Sequence, residues 1–244
     1  RTLKPIVANM RAQTEFVQNA SHELRTPLAV IQTTGELLLD SPNSRIVDRF
    51  EDVNAITSET KRLARLVDNL MELSLGDAGR SSLDASAVNL DALVREACAA
   101  YEDFATLQDK RLEVETGSRE TIEADADKLR QLLGIVLDNA LKYTAPGDEI
   151  TVRTRASGPK QCVVEVADTG CGIDPEDRAH VFERFYRADK ARSRETGGYG
   201  LGLSLAQHIV EAHGGSIALE PNEPRGTVVV VTLPANASKR VDSL

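Results

Sequence analysis

The stretch "NASHELRTPLAV", residues 19–30, contains the side chains best suited to chemistry. His22 and Glu23 are adjacent in it. An imidazole titrates near pH 6.5, so at neutral pH one ring nitrogen has a free lone pair and can act as a nucleophile. Glu23 would fix the tautomer if it accepted a hydrogen bond from the other ring nitrogen. Consecutive helix positions do not face each other, so this contact needs a local bend, which Pro27 could supply, or a rotamer that reaches round the helix.

The segment around His22 has the apolar pattern of a long amphipathic helix. Its apolar residues recur every three or four positions, on one helical face: Met10, Val17, Ala20, Leu24, Leu28, Ile31 and Leu38. We predict a helix from about Ile6 to Leu39, roughly 50 Å long. His22 is offset by about 200° from Ala20 and from Leu24, so it points away from this face. This excludes a core histidine and leaves an ordinary surface histidine as the alternative.

A second helix with the same pattern follows the first. The residues "DSPNS", Asp40–Ser44, break the first helix. Apolar residues then repeat as far as Gly76: Ile46, Phe50, Val53, Ile56, Leu63, Val67, Leu70 and Leu73. This succession predicts an antiparallel helical hairpin over residues 1–76. One hairpin has too little core to be stable alone, whereas two hairpins form a four-helix bundle, so we expect a homodimer.

The periodicity changes after the hairpin. Residues 77–87 lose the helical pattern and are the predicted linker. Residues 88–235 then alternate between two kinds of segment: helices over Asp91–Leu107, Asp125–Tyr143, Pro175–Arg187 and Leu201–His213, and strands in "EITVRTR", "CVVEVAD", "SIALE" and "TVVVVTL". The alternation in "EITVRTR" indicates one covered and one solvent-facing side. We predict a two-layer α/β sandwich with a mixed sheet and helices on one side, and a tail over residues 236–244.

Two segments of this second domain have side chains that suit a nucleotide. Asn139, Lys142 and Tyr143 share one helical face, and they offer an amide oxygen for Mg²⁺, an ammonium for phosphate and a ring for a base. In "CVVEVADTGCGI", Asp168 ends an apolar strand face, and a buried carboxylate needs a donor such as an adenine amino group. The alternatives are a surface asparagine and an ordinary turn aspartate before Gly170. Gly172 permits close backbone approach.

A glycine-rich stretch, "ETGGYGLGLSL", immediately precedes the last predicted helix. Such an arrangement lets backbone N–H groups and the helix dipole bind phosphate, although a flexible loop has the same composition. A basic stretch precedes it, which predicts a lid over the phosphates or, alternatively, a solvated run of charge: Arg184, Arg187, Lys190, Arg192 and Arg194.

The overall composition narrows the possible partners. The net charge of −9 argues against nucleic acid, because nonspecific binding to it needs clustered Lys and Arg. Three widely spaced cysteines form neither a disulfide framework nor a metal site, which fits a reducing cytosol. No apolar run approaches the roughly 20 residues of a membrane span. The chain begins without Met in a helix-like segment, so we expect a segment cut from something longer, with an upstream sensor or membrane part missing.

Five motifs in order resemble those of a known family. "FVQNASHELRTPL" resembles the H-box of the sensor histidine kinases of two-component signalling. "DNALKYT", "DTGCGI", "FERFYR" and "GYGLGL" resemble the N, G1, F and G2 boxes of their gyrase-type ATP-binding domain. The resemblance covers about Phe16 to Leu233. It implies an enzyme that autophosphorylates with Mg·ATP and passes the phosphoryl group to an Asp of a response regulator.

The same resemblance implies a role for each site residue. His22 would accept the γ-phosphoryl group, Glu23 would be the general base, and Thr26 would serve removal of phosphate from the response regulator. Asn139 would hold Mg²⁺ and Asp168 the adenine amino group. The full set of nucleotide-binding residues that it implies is Asn139, Lys142, Tyr143, Asp168, Gly170, Gly172, Arg187, Gly198, Gly200, Leu201 and Gly202.

The chain departs from the family pattern at two positions. Ile135 stands where the family often has a second Asn, and Tyr199 stands where a Ser or Thr is usual. These departures leave open a non-catalytic, nucleotide-binding dimeric scaffold. A phosphatase-dominant signalling protein acting through Thr26 is another alternative, and a gyrase-type ATP-driven clamp is disfavoured because it has no use for the His22 motif.

Overall fold

The structure, a computed structural model, describes residues 3–77, 83–158, 160–188 and 198–235. The chain divides into two compact units, residues 1–78 and 79–244, and each is described by itself. Among the described residues, no helix has the length and apolar character needed to cross a membrane.

The first unit is a hairpin of two long helices. Helix α1 (Leu3–Leu39) and helix α2 (Phe50–Asp77) pack against each other and are joined through a 3₁₀ turn at Ile46–Arg49. Leu66 and Leu73 of α2 are fully buried in this contact. The two predicted helices are therefore confirmed, with α1 beginning three residues before the predicted Ile6.

Helix α1 continues through Pro27, and this interrupts its hydrogen-bond ladder beside His22. Proline has no N–H, so the carbonyl group four residues earlier, that of Glu23, receives no ladder bond. Immediately before His22, the Ser21 hydroxyl donates to the carbonyl oxygen of Val17, one turn earlier, at 2.8 Å. The backbone of α1 is thus least regular where the candidate phosphoacceptor lies.

Much of the apolar face of the hairpin is exposed. Val17 is 58% exposed and Leu28 47% exposed on α1, and similar side chains are exposed on α2: Val53, Val67, Met71 and Leu75. A single hairpin therefore leaves part of its apolar stripe uncovered, which is the condition that favours pairing with another copy.

The second unit contains a five-stranded sheet covered by helices. Its elements are β1 (Ser86–Asn89), α3 (Leu90–Leu107), β2 (Arg111–Gly117), β3 (Thr121–Ala124), α4 (Ala126–Tyr143), β4 (Glu149–Ala156), β5 (Gln161–Asp168), α5 (Pro175–Arg178), α6 (Gly202–Ala212), β6 (Ser216–Pro221) and β7 (Thr227–Pro234). The strand order is β2-β4-β5-β7-β6, with β2 and β4 parallel and the other neighbours antiparallel. The prediction of a mixed sheet is confirmed.

The two faces of this sheet differ as the alternation in β4 predicts. Ile150, Val152 and Thr154 are buried, whereas Arg153 and Arg155 are exposed and pair with glutamates of the neighbouring strands. The covered face packs under α3, α4 and α6 around a shared core: Leu90, Leu93, Leu129, Leu132, Leu133, Val136, Val164, Val166, Val231 and Leu233. Thr151 departs from the alternation because it is also buried.

One predicted helix is much shorter than expected. The pattern predicts a helix over Pro175–Arg187, but α5 ends at Arg178 and irregular turns follow it. A helix that reached Arg187 is prevented by Phe185, whose φ of +63° is outside the helical region. Its N–H donates to the carbonyl oxygen of Gly200 at 2.8 Å, so a long-range contact replaces the helical hydrogen bond.

The start of α4 and the end of α6 are held together at Asp125. This residue is the N-cap of α4 and accepts hydrogen bonds from the N–H groups of Asp127 and Lys128. Its own N–H donates to His213 Nε2 at 3.1 Å, and His213 Nδ1 contacts the Ile209 carbonyl oxygen at 2.7 Å. The two helices that flank the candidate nucleotide site are thereby joined at their far ends.

Candidate functional site

Helix α4 presents polar residues near its C-terminal end. Its apolar side faces the core through residues such as Leu137 and Leu141, and Asn139 lies half-buried beside them. The Asn139 side chain forms no hydrogen bond to any residue that the structure describes. The Lys142 ammonium lies 5.1 Å from the centre of the Tyr143 ring, within cation–π distance. The predicted trio is thus grouped at one end of a rigid helix, with an amide available to a ligand.

Asp168 is the last residue of β5 and is only 7% exposed. Its Oδ1 accepts hydrogen bonds from the N–H groups of Gly170 at 2.9 Å and Thr227 at 3.3 Å. Burial raises the pKa of this carboxyl group, the two hydrogen bonds oppose that rise, and the negative charge of Asp148 adds to it. The carboxylate is therefore desolvated and fixed in place. It also makes the short-range turn contact to Gly170 that the alternative interpretation predicts.

The glycines after Asp168 allow its loop to approach α4. A Cβ atom on Gly170 would overlap the Tyr143 carbonyl oxygen, and the N–H of Cys171 donates to that oxygen at 3.2 Å. Gly172 has a φ of +75°, and a Cβ atom there would lie 3.3 Å from the Gly226 carbonyl oxygen. These close contacts bring Asp168 and the end of α4 into one site.

The glycine-rich stretch lies against the same helix. A Cβ atom on Gly198 would be 2.9 Å from Lys142 Nζ, and one on Gly202 would be 3.2 Å from Ile135 Cγ2. Gly200 has a φ of +71°, and a Cβ atom there would be 2.7 Å from the backbone of Phe185. The structure therefore brings together the N, F and G2 segments that the sequence analysis singled out.

Helix α6 starts within this stretch. It begins at Gly202, and Leu201 at its N-cap makes no side-chain capping hydrogen bond. The Leu201 side chain is almost fully buried, which leaves its main chain as the part able to contact a phosphate. The first N–H groups of a helix lack internal partners and attract anions.

The basic residues of the predicted lid are only partly described. Lys190, Arg192 and Arg194 lie outside the described residues. Arg187 is half-buried, and its Nη2 atom is buried without a hydrogen-bond partner in the described part of the chain. A buried guanidinium nitrogen without a partner is costly, and a phosphate oxygen would satisfy it.

His22 lies in the other unit and is exposed on α1, as is Thr26, whereas Glu23 is half-buried. The contact between His22 and Glu23 considered above is not observed: neither side chain forms a hydrogen bond to a described residue. Adjacent positions on a continuous helix diverge by about 100°, which explains this result. The imidazole is accessible to a large partner.

Two family models match the two units. The model of the His Kinase A (phospho-acceptor) domain matches residues 12–79. The model of the histidine kinase-, DNA gyrase B- and HSP90-like ATPase matches residues 124–237. The sensor protein CiaH of Streptococcus pneumoniae is 37% identical over 232 residues, which cover 95% of this chain and 52% of CiaH. The chain belongs to the two-component sensor histidine kinases. It spans about half the length of CiaH, and its second unit binds ATP.

Solved histidine kinases share the fold of this kinase. Acinetobacter baumannii AdeS superposes with a TM-score of 0.71 at 23% identity, covering 88% of this chain and 98% of AdeS. ThkA, solved in complex with the response regulator protein TrrA, superposes with a TM-score of 0.69 at 23% identity, covering 96% of this chain and 65% of that one.

The described residues of this kinase offer few ligands for a magnesium ion, so the ion would be held mainly by the phosphates of a bound nucleotide. Among the described residues, no group of three or more His, Cys, Asp or Glu side chains is placed to hold a metal ion. Asn139 offers one amide oxygen. Mg²⁺ commonly keeps several waters and takes few protein ligands besides substrate phosphates, so one amide is sufficient.

Sequence reasoning missed the residues that support Asp168 from behind. Asn222 Nδ2 donates to the Asp168 carbonyl oxygen at 2.8 Å, and the Thr227 N–H contacts its side chain. The signal was the "NEPRGT" segment, where Asn, Pro and Gly before a β-branched strand indicate a tight hairpin turn. The contact could not be predicted because Asn222 lies 54 residues after Asp168 in the sequence.

Proposed function

We propose that the chain is the catalytic core of an ATP-dependent protein-histidine kinase that phosphorylates His22 and then transfers the phosphoryl group to an Asp of a response regulator. The observation that carries this proposal is the presence, in one chain, of an exposed histidine in an H-box and of a desolvated carboxylate whose loop packs, through Gly170, against the same helix α4 that Gly202 of the glycine-rich helix start contacts. Neither feature alone specifies phosphoryl transfer.

The nucleotide would be held by residues at both ends of the site. Asp168 would accept a hydrogen bond from the adenine amino group. The loop of Gly170 and Gly172 would lie next to this contact, and Tyr143 would lie beside the base. The phosphates would lie near the start of α6, in contact with Lys142, Arg187 and the main chain of Gly198, Gly200, Leu201 and Gly202. Asn139 would hold Mg²⁺. When bound, this ion neutralises part of the negative charge of the phosphates.

The transfer itself requires a nucleophile, a proton acceptor and alignment. The lone pair of one His22 ring nitrogen forms the N–P bond while the bond from the γ-phosphorus to the bridging oxygen breaks and ADP leaves. The proton on the other ring nitrogen passes to a base, and Glu23 is the carboxylate that we assign to this step. Because the structure shows no contact between them, Glu23 reaches the ring after a side-chain rotation in the reacting complex.

The proposed partners are a second copy of the chain and a response regulator. Pairing of two hairpins would cover the exposed stripe of α1 and α2. The ThkA–TrrA complex supports a response regulator as the phosphate acceptor, and Thr26 would act in the reverse dephosphorylation. Because the relative CiaH is a sensor protein, we also propose that this chain acts on the cytoplasmic side, as the kinase portion of a membrane-anchored sensor.

The test is incubation of the chain with Mg²⁺ and γ-labelled ATP beside His22→Gln and Asp168→Asn variants. We expect acid-labile, alkali-stable label on the wild type, as for a phosphoramidate. His22→Gln should retain ATP binding and lose all label, whereas Asp168→Asn should lose both. Undiminished label on His22→Gln would refute His22 as the acceptor, and hydrolysis without phosphoprotein would favour an ATP-driven clamp.

A further inference from the structure

The loop between β6 and β7, residues 222–226, lies directly on the backbone of Asp168. The N–H of Asn222 donates to the Gly226 carbonyl oxygen at 3.1 Å and closes the loop. The Asn222 side chain then donates from Nδ2 to the Asp168 carbonyl oxygen at 2.8 Å. Gly226 has a φ of +115°, and a Cβ atom there would overlap that same oxygen. The loop therefore fits against Asp168 only with glycine at 226.

The same loop is anchored to the turn that follows α4. Arg225 Nη2 lies 2.5 Å from Asp148 Oδ1, and Asp148 Oδ2 accepts from the Ala145 N–H at 2.8 Å. Asp148 is buried, whereas 63% of the Arg225 side chain is exposed. The pair thus joins the 222–226 loop to the end of the helix that presents Asn139, Lys142 and Tyr143.

The charge of Asp148 matters for the carboxylate in the site. It raises the pKa of Asp168, in addition to the larger effect of burial. Arg225 is the cation paired with Asp148, and an opposite charge of this kind counteracts the effect of a carboxylate on its neighbours. The loop therefore reaches Asp168 by two routes: the hydrogen bond from Asn222 Nδ2 to its carbonyl oxygen, and the ion pair of Arg225 with Asp148.

We propose that Asn222 and Arg225 are positioning residues for adenine recognition, which hold Asp168 in place from behind without touching the nucleotide. The inference rests on the proposed function, in which Asp168 accepts from the adenine amino group. A positioning role of this kind affects binding of the base and leaves phosphoryl transfer unchanged once the site is saturated.

The experiment compares variants of this 244-residue chain for ATP affinity, for the rate of His22 phosphorylation at saturating ATP, and for thermal unfolding without nucleotide. Asn222→Ala removes the hydrogen bond. Asn222→Asp keeps the shape of the side chain but replaces its donor with an acceptor, so it separates a fold defect from a lost donor. Arg225→Gln removes the charge. The matched controls are Asn54→Ala on α2 and Arg153→Gln, whose ion pair lies on the opposite face of the sheet.

We expect Asn222→Ala and Asn222→Asp each to weaken ATP binding about tenfold, the equivalent of about 1.4 kcal/mol. Arg225→Gln should weaken it roughly threefold because its pair is partly exposed. The saturated rate should stay within about twofold of the wild type, and the two controls should bind ATP normally.

Two results would overturn the inference. The first is a wild-type ATP affinity in the Asn222 and Arg225 variants. The second is a parallel loss of ATP affinity, saturated rate and unfolding temperature, because such a loss indicates a purely structural role. Asp168→Asn separates this failure from that of the proposed function. If Asp168→Asn alone loses ATP binding, only the positioning role falls; if it binds ATP like the wild type, the adenine assignment falls as well.

Discussion

The two units of this kinase bury their apolar residues to very different degrees. In the ATP-binding unit, leucines from three helices and valines from the sheet meet in one closed core, and Leu129 is 2% exposed. In the hairpin, helices of similar amphipathic character leave Leu28 47% exposed on the same side as other large apolar residues. The difference indicates that the nucleotide-binding unit is complete in one chain, whereas the hairpin that carries His22 needs a partner.

The largest expected effect tests the closed core. Leu129→Ala should lower the free energy of unfolding of the ATP-binding unit by about 2–5 kcal/mol, because it leaves a cavity between α4 and the sheet. The corresponding fall in melting temperature is roughly 5–15 °C, measurable by circular dichroism. Leu107→Ala, at an exposed position of the same unit, should have almost no effect. Similar shifts for both variants would contradict the description of this core.

A smaller effect tests the uncovered face of the hairpin. Leu28→Asp should weaken self-association at least about tenfold, because pairing would then bury an unpaired carboxylate. Sedimentation equilibrium would measure the change in the dimer dissociation constant. The control is Phe104→Asp, a similarly exposed position on α3 in the ATP-binding unit, which should leave association unchanged. If only Phe104→Asp caused the dimer to dissociate, the interface would lie in the ATP-binding unit and not in the hairpin.

The smallest single effect is expected in a comparison of one glycine from each unit, at Gly35 of the hairpin. No atom lies within 4 Å of a Cβ built on Gly35 in α1, so Gly35→Ala should stabilise the hairpin by about 0.5–1 kcal/mol through helix propensity. Gly170→Ala, which meets the Tyr143 carbonyl oxygen, should destabilise its unit by about 1–3 kcal/mol. Denaturant midpoints report both changes. A destabilising Gly35→Ala would mean that a neighbouring helix packs against this position in the assembled protein.

The sequence predicted the long elements well because their periodicity is strong. Both hairpin helices, α3 and α4 were recognisable from apolar spacing, and the N-cap at Asp125 marks the start of α4. Strands β1 and β3 have four residues each, too few to establish a period. Strand β2, "RLEVETG", was missed although its charged and apolar residues alternate, because its partner β4 follows only after strand β3 and helix α4.

The site was predictable in its parts and less so in its contacts. Asp168 and the glycines carry local signals, so their types and order were sufficient to propose a nucleotide site. The shortened α5 was not predictable, since its proline start and its apolar residues favour a longer helix, and only the contact of Phe185 with Gly200 overrides them. The support of Asp168 by Asn222 depends on the pairing of β5 with β7, which no local pattern encodes.

Pro27 gives α1 a second, latent beginning. Threonine is a favoured residue immediately before a helix, and proline is favoured at its first position, so Thr26 and Pro27 together are a helix start placed inside a longer helix. We therefore expect residues 27–39 to keep a capped helix of their own if the preceding turn unwinds. In that case the turn that bears His22 would change conformation while the rest of α1, and the part of α2 packed against it, stays in place.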